Sequence, residues 1–183
     1  MVWRGRIAPK DRILSCLPYL LPLIEVFGFG QIFSFILPAI LRQLIGWLYL
    51  PIYPVMLLYG YVSQFVPFFG FILFFVLYLL VVRNEKLAHF LRFHTMQALM
   101  LSIFVSLCVL ILELLGILRI PDVLSSLASP VIPAVSAPIF AVLLVGAIFL
   151  AVVGSCIYSI VQAVRGMYAE IPVISEAAYG QTR

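Results

Sequence analysis

The chain has 183 residues, 65% of them hydrophobic and only 10% charged, with 11 Lys and Arg against 7 Asp and Glu for a net charge of +4. Soluble domains carry roughly 25% charged residues, so this composition, with a mean hydropathy of +1.23, excludes one and describes an all-α integral membrane protein. The length allows about four or five spans of ~20 residues and no separate soluble domain, and a basic excess spread through short loops is topology information before it is a nucleic-acid footprint.

Residues 1–12 are a basic start (Arg4, Arg6, Lys10, Arg12), and no small-x-small cleavage site follows it, so the next apolar stretch reads as a span and not as a signal peptide. That first apolar region, 13–37, is interrupted by Pro18, Pro22, Gly28 and Gly30 and carries Glu25. The second, 39–61, has Arg42 and Gln43 near its start, Pro51 and Pro54 further on, and an aromatic set of Trp47, Tyr49, Tyr53, Tyr59 and Tyr61. The third, 65–82, is uncharged and runs into a basic loop, 83–92, with Arg83, Lys86 and Arg92. The fourth, 93–118, contains Glu113 as its only charge; a Pro- and Ser-rich loop follows at 119–137, then the fifth region at 138–164 and a tail at 165–183.

Charge counting decides how many regions cross. Five crossings would put the N-terminal basic cluster and the 83–92 loop on opposite sides, against the positive-inside bias. Four crossings bring both basic regions and Arg165 to one side, with both termini cytoplasmic or stromal. The second region is the one set aside. An Arg near a helix centre costs about 2.5–3.5 kcal/mol on insertion scales, aromatic clusters suit the headgroup layer, and Gln31, Ser34 and Arg42 fall on one helical side. It is expected as an interfacial amphipathic helix; the alternative is that the first region, with its two prolines, exchanges roles with it, which leaves the parity unaltered. The expectation is a single membrane domain, 1–183, with spans at 13–37, 65–82, 93–118 and 138–164.

Two patterns stand out within the spans. Thr95, Ser102, Ser106 and Glu113 are separated by seven, four and seven residues, which places them within an arc of roughly 40° on one helix face. A narrow polar stripe lines water or packs against another helix, and an intramembrane carboxylate is a functional candidate by default. The alternative is that the hydroxyls bond their own helix backbone and Glu113 sits at the outer interface. On the fifth region Ala147, Ala151, Ser155, Ser159 and Ala163 recur every four residues. Such small-residue rows let membrane helices approach closely, whether the partner is a helix of this chain, a second copy or another subunit.

Enzymatic chemistry finds little support. His89 and His94, with Glu85, do not have metal-ligand spacing, no HExxH or CxxC accompanies them, and no phosphate-cradling loop is present. Cys16, Cys108 and Cys156 lie in apolar segments and read as buried small hydrophobes. No cofactor, metal or catalytic residue is expected.

The stretches LPYLLPLIE (Leu17–Glu25), FFVLYLLVVRNEKLAHFLRFHTMQAL (Phe74–Leu99) and EIPVISEAA (Glu170–Ala178) resemble, in order, the twenty-kilodalton membrane subunit of the translocon at the inner chloroplast envelope, a family with cyanobacterial and plastid-encoded relatives. Members typically show RFN where this chain has RFH, so His94 departs from the pattern. The resemblance implies four spans with both termini stromal or cytosolic, in the plastid inner envelope or a cyanobacterial plasma membrane. It also implies a role in preprotein import beside other translocon subunits and a stromal motor. On that reading Thr95, Ser102, Ser106 and Glu113 line a path for the precursor or pack against a neighbour, and Arg83, Lys86 and Arg92 meet anionic lipid or acidic partner segments. The alternatives from the residues alone are a small-solute or ion transporter coupled through Glu113, and a structural assembly subunit.

Overall fold

The computed structural model describes residues 8–116, 123–128, 138–171 and 174–182, and no strand occurs among them. In chain order the elements are α1 (Pro9–Leu14), a 3-10 turn (Leu17–Tyr19), α2 (Leu20–Glu25), α3 (Phe27–Ser34), α4 (Ala39–Tyr49), a second 3-10 turn (Leu50–Ile52) and α5 (Tyr53–Phe65). They continue with α6 (Phe69–Leu77), extended by a π-helical turn (Tyr78–Val82), then α7 (His89–Leu114), α8 (Val123–Ala128), α9 (Ile139–Arg165) and α10 (Ile174–Thr182). Helices satisfy every backbone donor and acceptor within one segment, which is what an apolar solvent demands.

Among the described residues, three helices are long and apolar enough to cross a membrane: Ala39–Phe65 and Ile139–Arg165 with 27 residues each, and His89–Leu114 with 26. Pro9–Glu25 and Phe27–Ser34 pass the same test as a pair bent by 47°, making up to four. The distribution differs from the sequence reading. Residues 39–61, expected at the interface, belong to a continuous span-length helix. Phe69–Val82, expected to cross, is nine residues of α-helix and five of π-helix, short of the ~20 a crossing needs. Arg42 explains the first difference: it is in the first turn of its helix, where a long side chain can snorkel to the headgroups and the mid-membrane penalty does not apply. Pro51 and Pro54 sit at first-turn positions of the 3-10 turn and of α5, where a missing N–H costs nothing.

The chain divides into two compact units. The first comprises Met1–Pro22, Gly70–Ile103 and Gly154–Arg183. Here α9 ends in a Schellman turn: Gly166 adopts φ +75°, the Met167 N–H bonds to the Gln162 carbonyl at 2.9 Å, and the Gly166 N–H bonds to Ala163 at 3.0 Å. The guanidinium of Arg12 lies against Gly166, within 3.0–3.2 Å of where a Cβ would stand. Arg92 Nε donates to the Val82 carbonyl at 2.8 Å, capping the π-helical turn.

The second unit comprises Leu23–Phe69 and Phe104–Val153. Its centre is a reciprocal packing of rings onto glycines. Phe149 of α9 occupies the space a Cβ on Gly30 of α3 would need, and Phe33 of α3 does the same at Gly146 of α9. Phe149 is buried, and Tyr49 stacks on it with centroids 6.4 Å apart while touching Phe27 at 4.9 Å. The short α8 packs on α3 and α5, and Gly60 of α5 lets it approach, since a Cβ there would sit 3.1 Å from Leu124 Cβ.

Because two glycines each receive a ring, Gly146→Ala should cost a net ~1–2 kcal/mol, overpacking outweighing the gain in helix propensity. Gly146→Ala should cost much less when made in a Phe33→Ala background, the two changes being non-additive. Thermal unfolding of the two variants in detergent checks this; a Gly146→Ala protein as stable as the parent would refute the packing account.

Candidate functional site

The N-terminal half of α7 is buried almost all round. His94, Thr95 and Gln97 are each 0% exposed, among Phe90, Leu91, Phe93, Met96, Ala98 and Leu99. Polar groups in such a place must find partners inside the protein. Thr95 bonds its own helix, Oγ1 donating to the Leu91 carbonyl at 2.8 Å. His94 and Gln97 instead converge on Tyr19, also 0% exposed.

The Tyr19 hydroxyl lies 3.0 Å from His94 Nδ1 and 2.9 Å from Gln97 Oε1. His94 Nε2 lies 3.3 Å from the Met167 carbonyl, and Gln97 Nε2 donates to the Ala169 carbonyl at 3.1 Å. Proton bookkeeping follows from these contacts. A carbonyl only accepts, so Nε2 of His94 carries the proton and Nδ1 of the neutral ring is an acceptor. Tyr19 therefore has one proton for two acceptors, Nδ1 and Oε1, and its O–H is shared between them. The result ties three segments together: the 3-10 turn near the N-terminus, α7, and the strap that follows α9.

Aromatic packing reinforces the same joint. Tyr168 meets Phe93 at 5.0 Å and Phe90 at 5.3 Å, and Tyr179 of α10 meets Phe93 at 4.5 Å. His89 Nδ1 is 3.2 Å from the Tyr168 hydroxyl. The Gly166 turn aims the strap at α7, which explains how Met167 and Ala169 come to present their carbonyls there. Chemically the assembly is a clamp whose members Tyr19, His94 and Gln97 are each buried. No group of three or more His, Cys, Asp or Glu able to hold a metal occurs among the described residues.

The residues singled out from the sequence are distributed as follows. On α7, Thr95 and Ser102 are buried, whereas Ser106 and Glu113 are exposed, so one helix face is covered along its first half and open along its second. In the basic loop Arg83 and Lys86 are exposed and Arg92 is half-buried. Along α9, Ser159 and Ala163 are buried, Ser155 is half-buried, and Ala147 and Ala151 are exposed. The close approach of α9 to α3 uses Gly146, one residue off that row. Sequence reasoning missed Tyr19, Gln97 and the Tyr168–Tyr179 packing. The available signal was the three-residue spacing of His94 and Gln97, which puts two uncharged polar groups on neighbouring positions of an apolar helix.

A family model described as chloroplast import apparatus Tic20-like matches residues 8–178, from the start of α1 into α10. The chain belongs to this family. Among its relatives, a Tic20 family protein of Synechocystis is 39% identical over 174 residues, covering 95% of this chain and 94% of that protein. A Tic20 family protein Ycf60 of the red alga Gracilaria is 33% identical over 171 residues, covering 91% of this chain and 72% of its own length. Protein TIC 20-II, chloroplastic, of Arabidopsis thaliana is 33% identical over 105 residues, 57% of this chain and 46% of its own. The Tic20-like match takes in Tyr19, His94, Gln97, Met167 and Ala169, so every member of the clamp lies inside the family region.

Tyr19→Phe removes one proton and leaves two buried acceptors unpaired, which should cost about 1–3 kcal/mol. His94→Asn, which keeps one donor and one acceptor, should be milder than His94→Leu. Thermal unfolding together with protease sensitivity of residues 167–182 measures both; equal losses for Asn and Leu would show that hydrogen bonding at position 94 contributes nothing.

Proposed function

We propose that this chain is a membrane subunit of a protein translocon, lending the open half of the α7 stripe to a path for preproteins. That path crosses the chloroplast inner envelope, or serves the equivalent role in a cyanobacterial plasma membrane. The observation that carries the reading is the exposure of Ser106 and Glu113 on a helix whose other exposed side chains nearby, among them Leu107, Leu110 and Ile111, are apolar. Polar and charged groups are costly against lipid, so this strip is suited to water, a moving polypeptide or a neighbouring subunit. Hydroxyls can hydrate an extended chain without holding it tightly.

Four helices are too few to enclose a polypeptide, so the path needs further translocon subunits or a second copy, with a stromal motor to supply the work. The exposed Ala147 and Ala151 of α9 suit close helix contacts with such a neighbour. Exposed Lys10, Arg83, Lys86 and Arg165 gather at helix ends that positive-inside bias assigns to the stromal or cytoplasmic side, where they meet anionic lipid or acidic partner segments. Counting the bent Pro9–Ser34 pair and Ala39–Phe65 as spans in place of 13–37 and 65–82 still makes four crossings with both termini on that side.

A photo-crosslinker at Ser106, with a control at Phe104 on the far side of the helix, should capture an arrested precursor at Ser106 and not at Phe104. Adducts with membrane proteins alone would make the chain an assembly subunit and remove α7 from the conducting path.

A further inference from the structure

Among the described residues, three buried side-chain polar atoms have no hydrogen-bond partner: Arg12 Nε, Ser159 Oγ and Gln162 Oε1. All three belong to the first unit, and to one seam within it, where α1 meets the last turns of α9. Arg12 covers Gly166, and Cys16, one turn further on, has its Sγ 4.0 Å from the Ile160 carbonyl. Gln162 falls between those two contacts, one turn before Gly166 and on the same helix face.

Buried polar groups without partners are rare, and a charged one is the costliest to leave so. Asp11, Glu85, Glu170 and Glu176 are the acidic side chains described in this unit, and none pairs with Arg12. The carbonyl end of α9 favours a cation but gives Nε no hydrogen bond, the Gln162 and Ala163 carbonyls being taken by the N–H groups of Met167 and Gly166.

The surroundings define the acceptor that fits. Exposed Lys10 and Arg165 put this end of the seam at headgroup level. Beside it Ile13, Leu14 and Leu17 on the N-terminal segment, and Val161 and Val164 on α9, are exposed and apolar, a surface for acyl chains. A guanidinium matches the oxygens of a phosphodiester. Gln162 Oε1 needs the opposite, a donor, which a phosphodiester lacks and a headgroup hydroxyl supplies. Ser159, 0% exposed and in electrostatic range of Tyr19, lies too deep for a headgroup.

We propose that the α1–α9 seam binds one anionic phospholipid with a hydroxylated headgroup, of the phosphatidylglycerol kind. Its phosphate accepts from Arg12 and a headgroup hydroxyl donates to Gln162. The proposal rests on this seam alone and holds or fails independently of the translocon reading.

Native mass spectrometry of the full chain in detergent tests it, with phosphatidylglycerol, zwitterionic phosphatidylcholine and phosphatidylmethanol, which has the same charge and no hydroxyl. One phosphatidylglycerol per chain should be retained in preference to both others. Arg12→Gln should weaken it by about tenfold or more, the loss expected for a hydrogen bond to a charged group, while Arg165→Gln changes little. Gln162→Leu, which keeps the charge, should bind phosphatidylglycerol and phosphatidylmethanol alike. Equal retention of phosphatidylglycerol and phosphatidylcholine, or an Arg12→Gln chain that binds as the parent does, overturns the site. Equal losses for Arg12→Gln and Arg165→Gln would reduce it to diffuse surface charge, and displacement of the lipid by glycerol phosphate at matched concentration would make the occupant a free anion; either result refutes the proposal.

Discussion

One phenolic proton is shared at the joint of the first unit. Two buried acceptors, His94 Nδ1 and Gln97 Oε1, face the Tyr19 hydroxyl at 3.0 and 2.9 Å, and in a dry interior neither can turn to water. Each side chain donates through its Nε2 to the strap after α9, so the pose of α7 and the position of the strap are coupled to one side chain in the 3-10 turn at Leu17–Tyr19. Unpaired buried groups are costly while satisfied ones contribute modestly. The network therefore works less as glue than as a specification: it makes arrangements other than this one expensive.

The second unit reaches its specificity mainly through the fit of rings onto glycines. Lipid gives helices no hydrophobic reason to associate, so shape must do it. Two phenylalanines seated on two glycines, each pair crossing between α3 and α9 in opposite senses, set both the approach and the register of those helices. A one-residue slip along either helix would place a side chain where a glycine is needed. Smallness alone is not the signal, as Gly46 and Gly154 show: nothing lies within 4 Å of the Cβ positions at either.

Much of this was legible in the sequence and some could not be. Composition alone led to a helical membrane protein, and the three stretches of family resemblance led to the Tic20-like family. Charge parity led to four crossings, a number within the span count of the structure. The penalty assigned to Arg42 treats an arginine in a first helical turn like one at mid-membrane, whereas residues 39–61 belong to a helix long enough to span. Helix periodicity placed Thr95, Ser102, Ser106 and Glu113 on one face but could not say that a neighbour covers only part of it. Tyr19, Gln97 and Tyr168 were invisible as a group because periodicity relates residues on one helix, whereas their meeting depends on the turn at Gly166.

The separation of the clamp's members along the chain has a consequence for biosynthesis. Tyr19 is 75 and 78 residues from His94 and Gln97, and those lie 73 and 72 residues from Met167 and Ala169. No early pair can close the network, since its last acceptors follow His94 and Gln97 by more than seventy residues. Chains are made at roughly 5–20 residues per second, so His94 and Gln97 must wait seconds, already within the membrane, for the carbonyls they will hold. During that interval the hydrogen-bonding groups of the N-terminal half of α7 lack the carbonyls that satisfy them in the finished fold.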